Sequence, residues 1–143
     1  MRYMSAPLSI RFAPALLERL RRRAQAVPGS TASGLAQRLV DEGLRMADHP
    51  GVIFKEGPSG RRAALAFGPD IWEVVKALRE IDERGSAALK AVGELLALDE
   101  ARVRLASHYY AEYTSEIDDE IEAADDASVA AEAAWRVEQR LLA

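Results

Sequence analysis

Two pairs of side chains in this sequence are spaced for recognition chemistry. Ser9 and Arg11 stand two residues apart in Pro7-Leu8-Ser9-Ile10-Arg11-Phe12, a run that alternates apolar and polar. In an extended chain that alternation sends Leu8, Ile10 and Phe12 to one face and Pro7, Ser9 and Arg11 to the other. The hydroxyl and guanidinium are hydrogen-bonding groups, and a guanidinium can reach two acceptors on a guanine edge at once. Arg136 and Arg140 form the second pair, four apart as one face of a helix requires. Trp135 and Leu142 lie seven apart, and Val137 and Leu141 four apart, so an apolar stripe runs beside two forked cations. Trp and Arg are over-represented among the residues that dominate binding energy.

Catalysis finds little support. His49 precedes a Pro-Gly turn, His108 falls in a helical stretch, and no ligand cluster surrounds either. Asp118, Asp119, Glu120 and Glu122 offer carboxylates but sit in a like-charged run without a pocket pattern. No Gly-rich phosphate loop is present. We read no active site, no metal site and no cofactor, so the chain is not expected to be an enzyme. It has no cysteine, which excludes disulfides and thiolate metal sites, and nothing argues for secretion. No apolar run approaches the roughly 20 residues of a membrane span. The expectation is a cytoplasmic protein with no membrane partner.

The elements that must position these residues follow from punctuation and period. A strand as short as Pro7–Phe12 leaves its backbone groups unpaired. No second strand pattern lies in the next thirty-odd residues, so the simplest partner is the same strand of another copy. Pro14 suits the first turn of a helix, along which Leu16, Leu17, Leu20, Ala24 and Val27 keep helical spacing until Pro28-Gly29 stops it. Ser30 or Thr31 caps a second helix carrying Leu35, Leu39, Val40, Leu44 and Met46. Within it Gly34 suggests a close backbone approach. His49-Pro50-Gly51 ends this head.

Val52–Phe54 and Arg61–Phe67 then read as two short strands around a Gly/Pro/Ser turn. Asp70 caps a helix with Ile71, Val74, Val75, Leu78 and Ile81. Another spans about Ser86 to Leu96. A third starts at Leu98-Asp99, with Val103, Leu105, Ala106, Tyr109 and Tyr110 facing inward. Ile117 and Ile121 extend a helix past Tyr113, and a last Ala-rich helix comes after Asp125-Asp126. The fold class is mainly α, with an N-terminal strand-helix-helix, a helical middle with a small β-hairpin, and a C-terminal helix. The expected domains are 1–48, 49–124 and 125–143.

Charge divides along the same lines. Residues 1–50 hold eight Lys/Arg against four Asp/Glu, and residues 51–111 nine of each. Glu112 to Glu132 hold nine acids and no base. A basic head and an acidic tail suggest two different partners, one of them polyanionic.

The head closely resembles the ribbon-helix-helix family, the fold of Arc- and MetJ-type repressors and of many antitoxins. The resemblance rests on Leu8-Ser9-Ile10-Arg11-Phe12, the Pro14 helix, the Pro28-Gly29 turn and the Ser30/Thr31 helix start. It implies a homodimer through the N-terminal strand, with Ser9 and Arg11 facing the DNA major groove and Thr31 and Ser33 near a phosphate at the second helix's N-terminus. Pro7 departs from the usual donor-bearing residue and should loosen base specificity there.

Residues 49–121 resemble a small winged-helix family of unknown function that accompanies toxin–antitoxin loci. The residues are His49-Pro50-Gly51-Val52-Ile53-Phe54, Gly60–Leu65, Asp70–Val75, Leu98–Val103, His108-Tyr109-Tyr110 and Glu116-Ile117-Asp118. By that resemblance Arg102 and Arg104, with Arg61 and Arg62, would meet DNA. The Trp135–Leu142 helix resembles the toxin-wrapping tail of VapB-type antitoxins, whose partners are PIN-domain ribonucleases. It implies toxin contacts at Trp135, Arg136, Arg140, Leu141 and Leu142, with Arg136 first and Arg140 second as the blocking guanidinium. The implied function is that of an antitoxin which binds its own operator DNA and neutralises such a ribonuclease, in a complex that can extend beyond the homodimer. The alternative is a stand-alone ribbon-helix-helix transcription factor whose acidic tail closes onto its own fold.

Overall fold

A computed structural model describes residues 6–57 and 60–143 of the chain. Among them it is mainly helical, with one two-stranded antiparallel sheet. The chain separates into two compact units, Met1–Leu44 and Arg45–Ala143. The boundary thus falls inside the second helix rather than after residue 48, and residues 125–143 belong to the second unit.

In the first unit, α1 spans Pro14–Gln25 and opens on the expected proline. Arg22 and Arg23 occupy its last turn, where cations complement the carbonyl end of the dipole. The second helix, α2, runs Ala32–Asp48. Thr31 rather than Ser30 caps it, its Oγ1 accepting the Gly34 N–H at 3.0 Å. A methyl at Gly34 would stand 3.1 Å from that oxygen, so the close neighbour of Gly34 is the capping hydroxyl and not another backbone. Residues 6–13 form no hydrogen-bonded strand within the single chain. The only buried hydrophobic side chains described in this unit are Ala24 and Leu35. Leu8 is 82% exposed, and Ile10, Leu16, Leu39, Val40 and Leu44 are also exposed.

The second unit has a core of its own. Strand β1 (Val52–Gly57) pairs antiparallel with β2 (Gly60–Leu65) in the register Val52↔Leu65, Phe54↔Ala63 and Glu56↔Arg61. Of the expected turn, Pro58 and Ser59 lie outside the described residues. Helix α3 (Ile71–Glu80) starts at Asp70, whose N–H donates to the Glu73 carboxylate at 2.8 Å. Helices α4 (Ser86–Leu96) and α5 (Glu100–Glu112) come next, with the Asp99 side chain accepting the Arg102 N–H at 2.8 Å. Val52, Leu65, Ile71, Val74, Val75, Val92, Val103, Ala106, Tyr109, Ile117 and Ile121 form the core, with Leu105, Tyr110 and Tyr113 packed against it. The tyrosines are thus core and its border, as their helical spacing suggests.

Glycine is demanded at one tight crossing. The chain leaves α4 through Ala97 in the left-handed region and brings the Leu98 N–H to the Gly93 carbonyl at 2.8 Å. A methyl group at Gly93 would lie 2.6 Å from the Leu98 carbonyl oxygen.

The last helix corrects the sequence reading. Instead of a break after Asp125-Asp126, α6 runs unbroken from Thr114 to Leu142, 29 residues. Two aspartates cost a helix only a few tenths of a kcal/mol each. Ala dominates residues 127–134, and Lys76 pairs with Asp125. No helix of the described residues is long and apolar enough to cross a membrane.

Candidate functional site

The candidate residues fall on three surfaces. On the head, Ser9, Arg11, Thr31 and Ser33 are all exposed. The hydroxyl of Thr31 is engaged by the Gly34 N–H, and Ser33 sits in the first turn of α2. The free N–H groups of a helix start favour an anion there. On α1, Arg19, Arg21, Arg22 and Arg23 are exposed as well, and Arg22 donates to Glu18 one turn back at 3.1 Å. The head therefore carries cations and helix-start donors outward, while its apolar residues Leu8 and Ile10 are equally uncovered.

The middle surface is less open than the sequence suggests. Arg102 donates its guanidinium to the Ala66 carbonyl, and Arg62 is bound to Asp70. Arg61 pairs with Glu56 across the hairpin at 3.2 Å. Arg104 is exposed on α5. Three of the four arginines expected to meet DNA thus have bonds to their own fold.

Two polar clusters organise this unit, and sequence reading picked out neither. Arg45 donates to the Tyr109 hydroxyl at 2.9 Å and to Glu116 at 2.9 Å, and lies 4.0 Å over the Tyr113 ring. Burial works against its charge, but the bonds to Tyr109 and Glu116 more than restore it, holding its pKa above the ordinary value. Burial first, and the Glu116 charge with it, keeps the Tyr109 phenol protonated well beyond its usual range. Beside them the buried His49 meets Glu112 at 3.1 Å and stands edge-on to Tyr109. No signal within any single segment links these residues, which lie more than 60 positions apart.

The second cluster lines a cleft of about 480 Å³ bounded by Lys55, Arg62, Asp70, Trp72, Glu73 and Glu120. The buried Asp70 carboxylate binds Lys55 at 2.8 Å, Arg62, and the Trp72 indole N–H at 3.1 Å. Burial alone would raise its pKa, and the Lys55 and Arg62 bonds bring it below the usual carboxylate range. Glu120 has the opposite fate. Burial, then the charges of Glu116 and Asp70, push its carboxyl up to about 7 despite Arg62. Its Oε2 is buried without a hydrogen-bond partner among the described residues.

The third surface is the distal half of α6. Every residue from Asp125 to Ala143 is exposed. Trp135 is 58% exposed and Leu141 84%, with Val129, Val137 and Leu142 likewise uncovered. Arg136 donates to Glu132 one turn back at 2.6 Å, and Arg140 is exposed beyond it. All five expected toxin contacts therefore share one solvated helical segment. An isolated helix of this length is marginal in water, so this segment depends on its alanines and short-range pairs such as Glu132–Arg136.

No family model, curated protein or solved structure matches the chain.

Proposed function

We propose that this chain is a type II antitoxin, resembling the VapB type, that represses its own operon and neutralises a PIN-domain ribonuclease. The observation that carries the reading is the unsheltered end of α6, where Trp135, Val137, Leu141 and Leu142 stand in solvent beside Arg136 and Arg140. Burying one such side chain against a partner is worth about 1.5–3 kcal/mol, so together these residues favour a protein that covers them. Clustered carboxylates around a catalytic metal would receive either guanidinium in fork geometry.

The head supports the DNA-binding half. With Ala24 and Leu35 the only buried hydrophobic side chains among its described residues, it lacks an apolar core of its own and needs a second copy to cover Leu8, Ile10, Leu16 and Leu39. Pairing the Pro7–Phe12 segments antiparallel would satisfy their backbone and complete a ribbon-helix-helix, with Ser9 and Arg11 on the outer face. The stand-alone transcription factor has less support, because the acidic stretch packs on its own unit only as far as Asp125, and the Trp135–Leu142 end of the helix stays exposed.

Removing residues 127–143 tests the assignment. The truncated chain is expected to bind operator DNA as the full chain does but to leave cells unprotected from the ribonuclease it neutralises. Retained protection would refute the role of the tail.

A further inference from the structure

Phe67 is presented in a way that folding alone does not explain. The residue is fully exposed, and its φ of 55° lies in the left-handed region that bulky residues avoid. The surrounding turn is braced on every side. The Ala66 N–H bonds the Gly51 carbonyl at 2.9 Å, and the Gly68 N–H bonds the Leu65 carbonyl at 3.1 Å. The Leu65 N–H bonds the Pro69 carbonyl at 2.9 Å, and Arg102 fastens the Ala66 carbonyl from α5. A strained conformation held this firmly around an uncovered aromatic ring is the mark of a functional display.

Next to this turn lies a cleft of about 530 Å³ that includes Pro50, Ala66, Ala101 and Leu105, with Asp99, Arg104 and His108 among its polar residues. We propose that Phe67 docks into this cleft on a second copy of the chain, while the second copy's Phe67 fills the first. Knob and hole share one turn, because Ala66 both precedes Phe67 and lines the cleft. A two-fold axis therefore satisfies both in a single isologous contact. The charges allow the same operation: Arg102 also borders the cleft but is bound to the Ala66 carbonyl, which leaves Arg104 of one copy to face Asp99 of the other. The contact belongs to the second unit and does not depend on what the head or the tail binds.

A photoreactive benzoylphenylalanine at position 67 of the full chain tests it. Equal amounts of ¹⁵N-labelled and unlabelled chain are mixed, irradiated and digested, and the linked peptides are weighed. Links of mixed isotope composition joining position 67 to residues 50–51 or 99–108 are expected. Links confined to one chain, links to residues 6–44 of another copy, or no link to that cleft would overturn the proposal. So would a link formed in cells to a different protein or to DNA in place of the cleft. Because Ala101 is exposed, Ala101→Arg blocks the cleft at little risk to folding. It should lower the yield of the mixed link at least fivefold with an unchanged circular dichroism spectrum, and an undiminished yield counts against the contact. Ile10→Glu, which is expected to break head pairing, should leave the mixed link in place, so the failure of head pairing and the failure of this contact are told apart.

Discussion

Glu120→Gln should stabilise the protein at alkaline pH and leave it unchanged in acid. The carboxyl of Glu120 has moved from its ordinary 4.5 to about 7, mainly through burial and then through the charges of Glu116 and Asp70. A folded-state pKa raised above the unfolded one means that folding favours the protonated form. Its contribution is fully present below about pH 4.5, declines as pH rises, and is lost once pH passes about 7. At about 1.4 kcal/mol for each tenfold change in proton affinity, the displacement sets a ceiling of about 3 kcal/mol. Glu120 is only half-buried beside an open cleft, and solvent screening lowers the working figure to about 1–2 kcal/mol. Glutamine keeps the shape of the protonated acid and cannot ionise. Urea titrations at fixed protein concentration, monitored by fluorescence of Trp72 in the same cleft, would measure both chains from pH 4 to 8.5. The two should coincide near pH 4 and separate through pH 5–7, with Glu120→Gln the more stable by about 1–2 kcal/mol at pH 8. Asp70, held below the usual carboxylate range by Lys55 and Arg62, stays ionised in both folded chains across this window. A gap independent of pH, or a glutamine chain less stable at pH 8, would refute the account of Glu120.

The geometry sets three further outcomes. Arg11→Ala should weaken operator binding by about 1–3 kcal/mol and relax selectivity at one base pair, which a binding titration against single-position operator variants would register; an unaltered profile would mean that the ribbon does not read the bases. Ile10→Glu places a charge where the head needs cover, so sedimentation should show loss of head pairing and of DNA binding, and retained pairing would exclude the ribbon. Gly93→Ala forces a methyl against the Leu98 carbonyl oxygen at 2.6 Å. Moving backbone at that crossing costs about 1–3 kcal/mol, less the roughly 1 kcal/mol that alanine gains in a helix, so the urea midpoint should fall; a rise would show that the loop yields freely.

Much of the fold was legible because its boundaries are chemically marked. Pro14 opens α1, Pro28-Gly29 closes it, Thr31 caps α2, and Asp70 and Asp99 cap α3 and α5. Each acts through groups within a few residues, which a linear reading reaches. The join at Asp125-Asp126 was misread because two aspartates resemble a helix start, and their context decides: Lys76, 49 positions away, pairs with the first. Arg45 was missed for the same reason, since Tyr109 and Glu116 come from distant segments, and Glu120 because its burial beside Asp70 is set by the fold. The surface arginines were legible only in part. Charge on residues 61, 62 and 102 is plain in the sequence, but Glu56, Asp70 and the Ala66 carbonyl, which claim it, are not. Phe67 was read as the end of the second strand, but β2 stops at Leu65 and Phe67 turns into the left-handed region, which nothing local in the sequence announces. The alternation of Pro7–Phe12 was visible, yet among the described residues of a single chain that segment pairs with no strand.

The unbroken course of α6 also bears on the lifetime of the protein. From Ile121, its last buried residue, to Leu142 the helix reaches about 32 Å at 1.5 Å per residue. No tertiary contact shields the backbone over most of that reach, so opening any turn costs only the local helix–coil free energy, which is close to zero at such ends. A protease therefore meets cleavable chain in the isolated protein without waiting for the core of the second unit to unfold. Anything that clasps Trp135–Leu142 removes that access by mass action. Occupancy of the arm and persistence of the chain are thereby coupled, and the same residues that would bind a partner also report whether the chain is bound.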